Sequence, residues 1–159
     1  MVLFNRVKTC SVIELNSVLL EVRGVFIDSF HEINLTIHVD HQRMEIVWAR
    51  AYMLKTPHAD CVEAESEGSK LVGIKIGSGV RKAILDAVGH AHGCTHLADL
   101  ALDAVKAVIQ ANFKLQYKKQ MPPEQLLAKY IDELAGTCHH WTILGERVKS
   151  CSERADKQE

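Results

Sequence analysis

Ile33-Asn34-Leu35-Thr36-Ile37-His38-Val39 alternates apolar and polar side chains at every step. A strand points successive side chains to opposite faces. This stretch therefore reads as a half-buried strand with Ile33, Leu35, Ile37 and Val39 turned inward. Its neighbours Val18–Phe26 and Met44–Met53 (with Ile46-Val47-Trp48 inside) carry the same alternating, β-branched character. Asp40-His41-Gln42-Arg43 is a polar break suited to a hairpin connection. Thr56-Pro57-His58 ends the last strand, because proline removes a ladder donor and restricts the residue before it. The expected sheet is antiparallel, with three or four strands in chain order.

The period changes after this sheet. Ser78 is the expected N-cap of a helix from about Gly79 to Val88, with Gly89 just past its end. Leu97, Ala101, Ala104/Val105, Val108 and Asn112 recur at three-to-four spacing and predict a long helix from Thr95 to Phe113 or Leu115. Pro123-Glu124 opens a third helix whose Leu126/Leu127, Tyr130/Ile131 and Leu134 share a face, and Gly136 closes it. Strands first and helices afterwards make an α+β fold, with the helices packed on one face of the sheet. One domain is expected over residues 1–144, followed by a charged, frayed tail over 145–159.

Composition sets the outer limits. The 159 residues are 47% hydrophobic and 25% charged, enough for one domain with its own core. Nineteen basic residues against twenty acidic ones leave no broad basic footprint for nucleic acid and no polybasic membrane patch. No apolar run reaches the roughly 18 residues of a membrane span. Arg6, Lys8 and Glu14 interrupt the segment where an export signal would need an apolar core. A cytoplasmic location is therefore expected.

Cysteine and histidine carry the functional signal. Five cysteines, an odd number without an export signal, argue against a disulfide framework. The nine histidines are clustered: His90, His92, Cys94 and His96 fall within seven residues, Cys138-His139-His140 are consecutive, and His58 precedes Cys61 by three. Gly93-Cys94-Thr95-His96-Leu97 stands where a loop feeds the long helix. A thiol there meets the helix's positive end, which favours the thiolate that attacks electrophiles and binds soft metals. The bland alternatives are plain. Cys94 and Cys61 could be small buried hydrophobes, and Cys138-His139 could lie at a helix end, where histidine suits the dipole. His31 could be a surface or hydrogen-bonded residue at a strand start. Cys10 and Cys151 have no Cys/His neighbours, and Trp48 and Trp141 read as packing residues.

Several of these segments together resemble a known family: His31 in its strand, Pro57…Cys61, Leu71-Val72-Gly73-Ile74-x-Ile76 with Gly79 and Val80, the Gly-Cys-Thr-His-Leu box, and Gly136-Thr137-Cys138-His139. It is domain-of-unknown-function family 2889, a group of bacterial proteins. The resemblance implies a site at the box and the terminal Cys-His without implying an activity, and it leaves out His90, His92 and His140. A second likeness is to iron–sulfur cluster scaffold proteins of the IscU/NifU type, which place a late cysteine before a helix of matching pattern. Here that stretch reads Cys94-Thr95-His96-Leu97-Ala98-Asp99-Leu100-Ala101-Leu102, and Cys61 follows a strand as their middle cysteine does. The scaffold's first cysteine has no counterpart, since Asp40 and His41 occupy that hairpin, and Gly93 stands where scaffolds carry histidine.

The expected metal-ligating set is Cys61, Cys94, His96, Cys138, His139 and His31. Mixed thiolate and imidazole donors suit zinc or an iron–sulfur cluster better than magnesium or calcium. The leading expectation is a metal or cluster carrier, with a protein partner that receives its cargo. The rival is a thiol or zinc enzyme in which Cys94 is nucleophile or ligand, His96 or His139 is the base, and Asp99 or Glu63 orients it. A third reading is a small-molecule binding module with these groups lining a pocket. No phosphate-binding loop, Gly-x-Ser-x-Gly or His-Glu-x-x-His occurs, and Gly73…Gly77-Ser78-Gly79 lacks the Lys-Ser/Thr ending of a phosphate loop.

Overall fold

A computed structural model describes residues 1–118 and 122–155. The alternating segments form four strands, β1 Arg6–Glu14, β2 Leu19–Asp28, β3 Glu32–Asp40 and β4 Glu45–Lys55, paired antiparallel in chain order. The period-two pattern decides the buried face. Leu20, Val22 and Phe26 of β2 and Ile33, Leu35, Ile37 and Val39 of β3 are all at most 1% exposed. Each such aliphatic or aromatic side chain contributes roughly 1.5–3 kcal/mol through its removal from water. The β3–β4 register shifts twice: between Glu32 and Ile33, where Leu54 is extra, and between His38 and Val39, where Val39 pairs with Ile46 and His38 with Trp48, leaving Val47 as the extra residue. That bulge switches the inward positions of β4 from Ile46 to Ala49, Ala51 and Met53. It also leaves Trp48 41% exposed, with its ring 4.7 Å from that of His38. Trp48, expected as a packing residue, thus packs against His38 on the open face of the sheet.

β1 escaped the sequence reading, and its side-chain pattern shows why. Cys10 pairs with Gly24 and Arg6 with Asp28, so Arg6, Lys8 and Cys10 face the helix side while Val7 and Ile13 point outward and are exposed. The polarity of its alternation is the reverse of an ordinary half-buried strand.

After β4, a 3₁₀-type segment Ala59–Leu71 runs against that strand; a Cβ added at Gly68 would lie 2.8 Å from the Cβ of Ala51. α1 spans Val80–Val88 and α2 spans Thr95–Lys118. Gly79, not Ser78, occupies the N-cap of α1, at φ 82°, a backbone state glycine adopts without steric cost. α2 lays Leu97, Leu100, Ala101, Ala104 and Val108 into the core, all at most 1% exposed. A Cβ at Gly24 would meet Leu100 Cδ1 at 3.1 Å, so the helix crosses β2 at the one position without a side chain. Lys8 of β1 reaches across to Asp99 (2.8 Å) and Asp103 (2.5 Å) on α2.

The chain divides into two compact units, residues 1–113 and the remainder from Lys114. The second unit contains α3 Pro123–Leu134 and α4 His139–Ala155. Within it, Tyr130 and Trp141 pack edge to face at 5.9 Å, and Gly136 turns the chain at φ 80°. The segment expected as a frayed tail from Gly145 is helical as far as Ala155, and residues 156–159 lie outside the described residues. Among the described residues, no helix is long and apolar enough to cross a membrane.

Candidate functional site

The site begins at the end of β2. Asp28 is buried, with its side chain 1% exposed, and its carboxylate organises the turn into β3. Oδ1 accepts the backbone N–H groups of Phe30 (2.8 Å) and His31 (2.7 Å) and also His31 Nδ1 (3.0 Å). Oδ2 takes the Arg6 guanidinium at 2.9 Å. Burial opposes ionisation here, but the hydrogen bonds from Phe30, His31 and Arg6 outweigh it and hold Asp28 well below the usual carboxylate range. An ionised carboxylate only accepts, so His31 carries a hydrogen on Nδ1 and its ring is held by Asp28 through that nitrogen.

His96, the second residue of α2, lies over His31 with ring centroids 4.0 Å apart and an interplanar angle of 38°. The Phe26 ring lies tilted beside that of His96, with centroids 5.2 Å apart. Burial, with repulsion from His31 and Arg6, pushes the His96 pKa down and keeps the ring neutral at pH 7. Its Nδ1 lies 3.9 Å from Cys94 Sγ. Cys94 stands immediately before α2, and its carbonyl accepts the helix's first bond, from Ala98 N–H at 2.9 Å. Its own N–H donates to Val88 O at 2.8 Å, which draws the loop tightly under the end of α1. A Cβ at Gly93 would sit 2.1 Å from that same carbonyl, so only glycine fits there.

These groups open onto one concavity of about 320 Å³. His31, His58, Cys61, Cys94 and His96 line it, and Met53 and Pro57 supply apolar wall. Four of the six residues expected as ligands therefore converge: His31, Cys61, Cys94 and His96. Cys138 and His139 belong to the second unit, where Cys138 is exposed before α4 and His139 opens that helix. Among the described residues, Asp28, His31 and His96 are the one group whose possible ligand atoms all lie within 4.8 Å of one another. Asp28 is already saturated by four donors including a guanidinium, so it positions His31 and is a poor ligand itself.

The carboxylates proposed as orienting groups lie elsewhere. Asp99 is taken by Lys8, and Glu63 lines a shallow groove beside Arg50 and Tyr52. His90 is exposed, 3.8 Å from Asp86, and His140 packs edge-on against Trp141 at 5.1 Å. Sequence reasoning missed Asp28. The available signal was Asp28-Ser29-Phe30-His31, an aspartate three residues before a histidine at a strand–turn–strand junction.

The family described as "Protein of unknown function (DUF2889)" matches residues 21–110. The chain belongs to this family. The matched residues run from β2 into α2, and so include Asp28, His31, Cys61, Cys94 and His96. Cys138 and His139 fall outside them. No curated protein and no solved structure matches the chain.

Proposed function

We propose that this DUF2889 protein holds a thiophilic metal centre, of the zinc or iron–sulfur class, in the concavity at the start of α2, and acts as a carrier that passes it to a protein partner. The observation that carries the reading is convergence: the thiols of Cys61 and Cys94 and the imidazoles of His31, His58 and His96, from distant parts of the chain, line one open concavity, and two of each make the expected ligand set. Asp28 accepts from His31 Nδ1 and fixes the ring, the carboxylate–histidine arrangement that supports metal-ligating imidazoles. His96 is held neutral, the form that ligates. Two sulfurs and two nitrogens suit tetrahedral zinc, and the same donor count can hold a two-iron cluster with mixed ligation. An open concavity suits release of cargo, and the likeness of the Cys94 helix to the scaffold pattern points the same way. Elemental analysis of protein purified without added metal tests the reading. Near one equivalent of zinc, or iron with sulfide, is expected, with loss in Cys94→Ser and His31→Ala. Metal-free wild type that also fails to take up added zinc would refute it.

The contact of 3.9 Å between Cys94 Sγ and His96 Nδ1 favours a second reading, a thiol enzyme. There Cys94 attacks an electrophilic carbon while His96 Nδ1 accepts its proton. A burst of alcohol release from an activated ester by metal-free wild type, absent in Cys94→Ser, would favour this reading over the carrier.

A further inference from the structure

The two edges of the sheet are treated differently. Along β4 the backbone is covered. Ile46 N–H donates to Ile74 O (3.0 Å), Gly73 N–H to Ile46 O (2.7 Å), Ile76 N–H to Met44 O (2.7 Å), and Met53 N–H to Glu65 Oε1 (2.6 Å). β1 forms the other edge. The ladder gives the direction of its backbone groups. Asp28 N–H donates to His31 O on the β3 side, so even-numbered residues of β2 turn N–H and C=O towards β3 and odd-numbered ones towards β1. Val7, Thr9, Ser11 and Ile13 pair with Ile27, Val25, Arg23 and Glu21, and bond inward. Arg6, Lys8, Cys10, Val12 and Glu14 therefore turn their backbone groups to the outer edge.

That edge is self-complementary about its middle residue, Cys10. Antiparallel pairing with a second copy in the register that uses the full strand sets Arg6 against Glu14 of the other copy. It also sets Val7 against Ile13, Thr9 against Ser11 and Lys8 against Val12. Opposite charges meet at both ends, and the two exposed apolar residues of the strand, Val7 (51% exposed) and Ile13 (38%), meet on the open face. The guanidinium of Arg6 holds Asp28 through one nitrogen and lies over the rings of Phe4 and Phe26, yet its side chain stays 37% exposed, so N–H groups at its edge can still reach a carboxylate. A long, untwisted-by-bulge edge with such a pattern is a template for another strand. We propose that the chain forms a two-fold dimer by antiparallel pairing of β1 edges centred on Cys10, which joins two four-stranded sheets into one. The partner surface is the same strand, making the interface isologous, with about ten backbone hydrogen bonds.

Sedimentation equilibrium of the full chain at tens of micromolar tests this. A mass approaching twice 17.8 kDa is expected. Cys10→Pro removes an outward N–H that the monomer's own ladder does not use. Glu14→Arg places like charges opposite Arg6 at both ends of the interface. Each variant should raise the dissociation constant about tenfold or more while the far-ultraviolet circular dichroism is unchanged. A wild-type mass that stays at 17.8 kDa would overturn the proposal, as would folded variants that dimerise like wild type. If Cys10→Pro fails to fold, Glu14→Arg decides the matter alone.

Discussion

Replacing Asp28 tests how much of the site depends on one buried carboxylate. Asp28→Ala deletes the acceptor for Phe30 N–H, His31 N–H and His31 Nδ1 together. A part-buried donor left unsatisfied costs roughly 1–3 kcal/mol, and water entering the vacated space offsets some of this. Arg6, 37% exposed, returns to solvent at little cost. The net loss should be about 3 kcal/mol, or a melting temperature lower by roughly 10 °C for a chain of this size. Asp28→Asn keeps the Oδ1 acceptor but loses the charge and turns an amide N–H₂ towards Arg6, so about half that loss is expected. The pH dependence has a definite sign. Asp28 titrates lower in the folded chain than its ordinary 3.8, so its contribution is fully present above that value and is lost as pH falls below it. The stability gap between wild type and Asp28→Asn should therefore narrow below about pH 4. Urea titrations of the metal-free proteins at pH 7 and pH 3 measure both quantities. A cost below about 1 kcal/mol for Asp28→Ala, or a gap that widens with acid, would refute the account of this carboxylate.

Further expectations attach to the surrounding residues. Gly93→Ala must push the Cys94 loop off Val88 O and should cost more than about 2 kcal/mol by thermal melting, since the clash is with backbone. In metal-free protein at pH 7, mass spectrometry after brief alkylation should find Cys94 modified before Cys10, whose thiol is pushed up by burial and by the negative charge of Asp103. On the proposed reading, in which the ligands are those lining the concavity, Cys138→Ala combined with His139→Ala should keep the metal stoichiometry; loss of metal would add this pair to the ligands.

The legible part of the fold was the part where periodicity and burial agree. The alternation of Ile33–Val39 specified both a strand and its inward face, and the three-to-four spacing from Leu97 to Val108 specified α2. β1 was hidden because Val7 and Ile13 point outward, while three of its inward positions are Arg6, Lys8 and Cys10, with Lys8 held by carboxylates of α2. The bulge at Val47 was also hidden, since a sequence shows an extra residue only as a broken alternation. At the site, chemistry made Cys61, Cys94, His96 and His31 visible, because clustered thiols and imidazoles are uncommon in a reduced chain. Asp28 looks like any turn aspartate until three donors are seen to meet on one oxygen. Asp99 looked like an orienting group by its closeness in sequence, yet the helix turns it towards Lys8.

Cobalt substitution tests the proposal that Cys94 and the stacked histidines ligate a metal. Added cobalt(II) should give an intense thiolate-to-cobalt charge-transfer absorption with the visible bands of four-coordinate geometry. Cys94→Ser should weaken the charge-transfer band, and Asp28→Asn should leave the spectrum's form intact while lowering affinity roughly 10–100-fold. A wild-type spectrum identical to that of hydrated cobalt, or one unchanged by Cys94→Ser, would show that Cys94 is not a ligand.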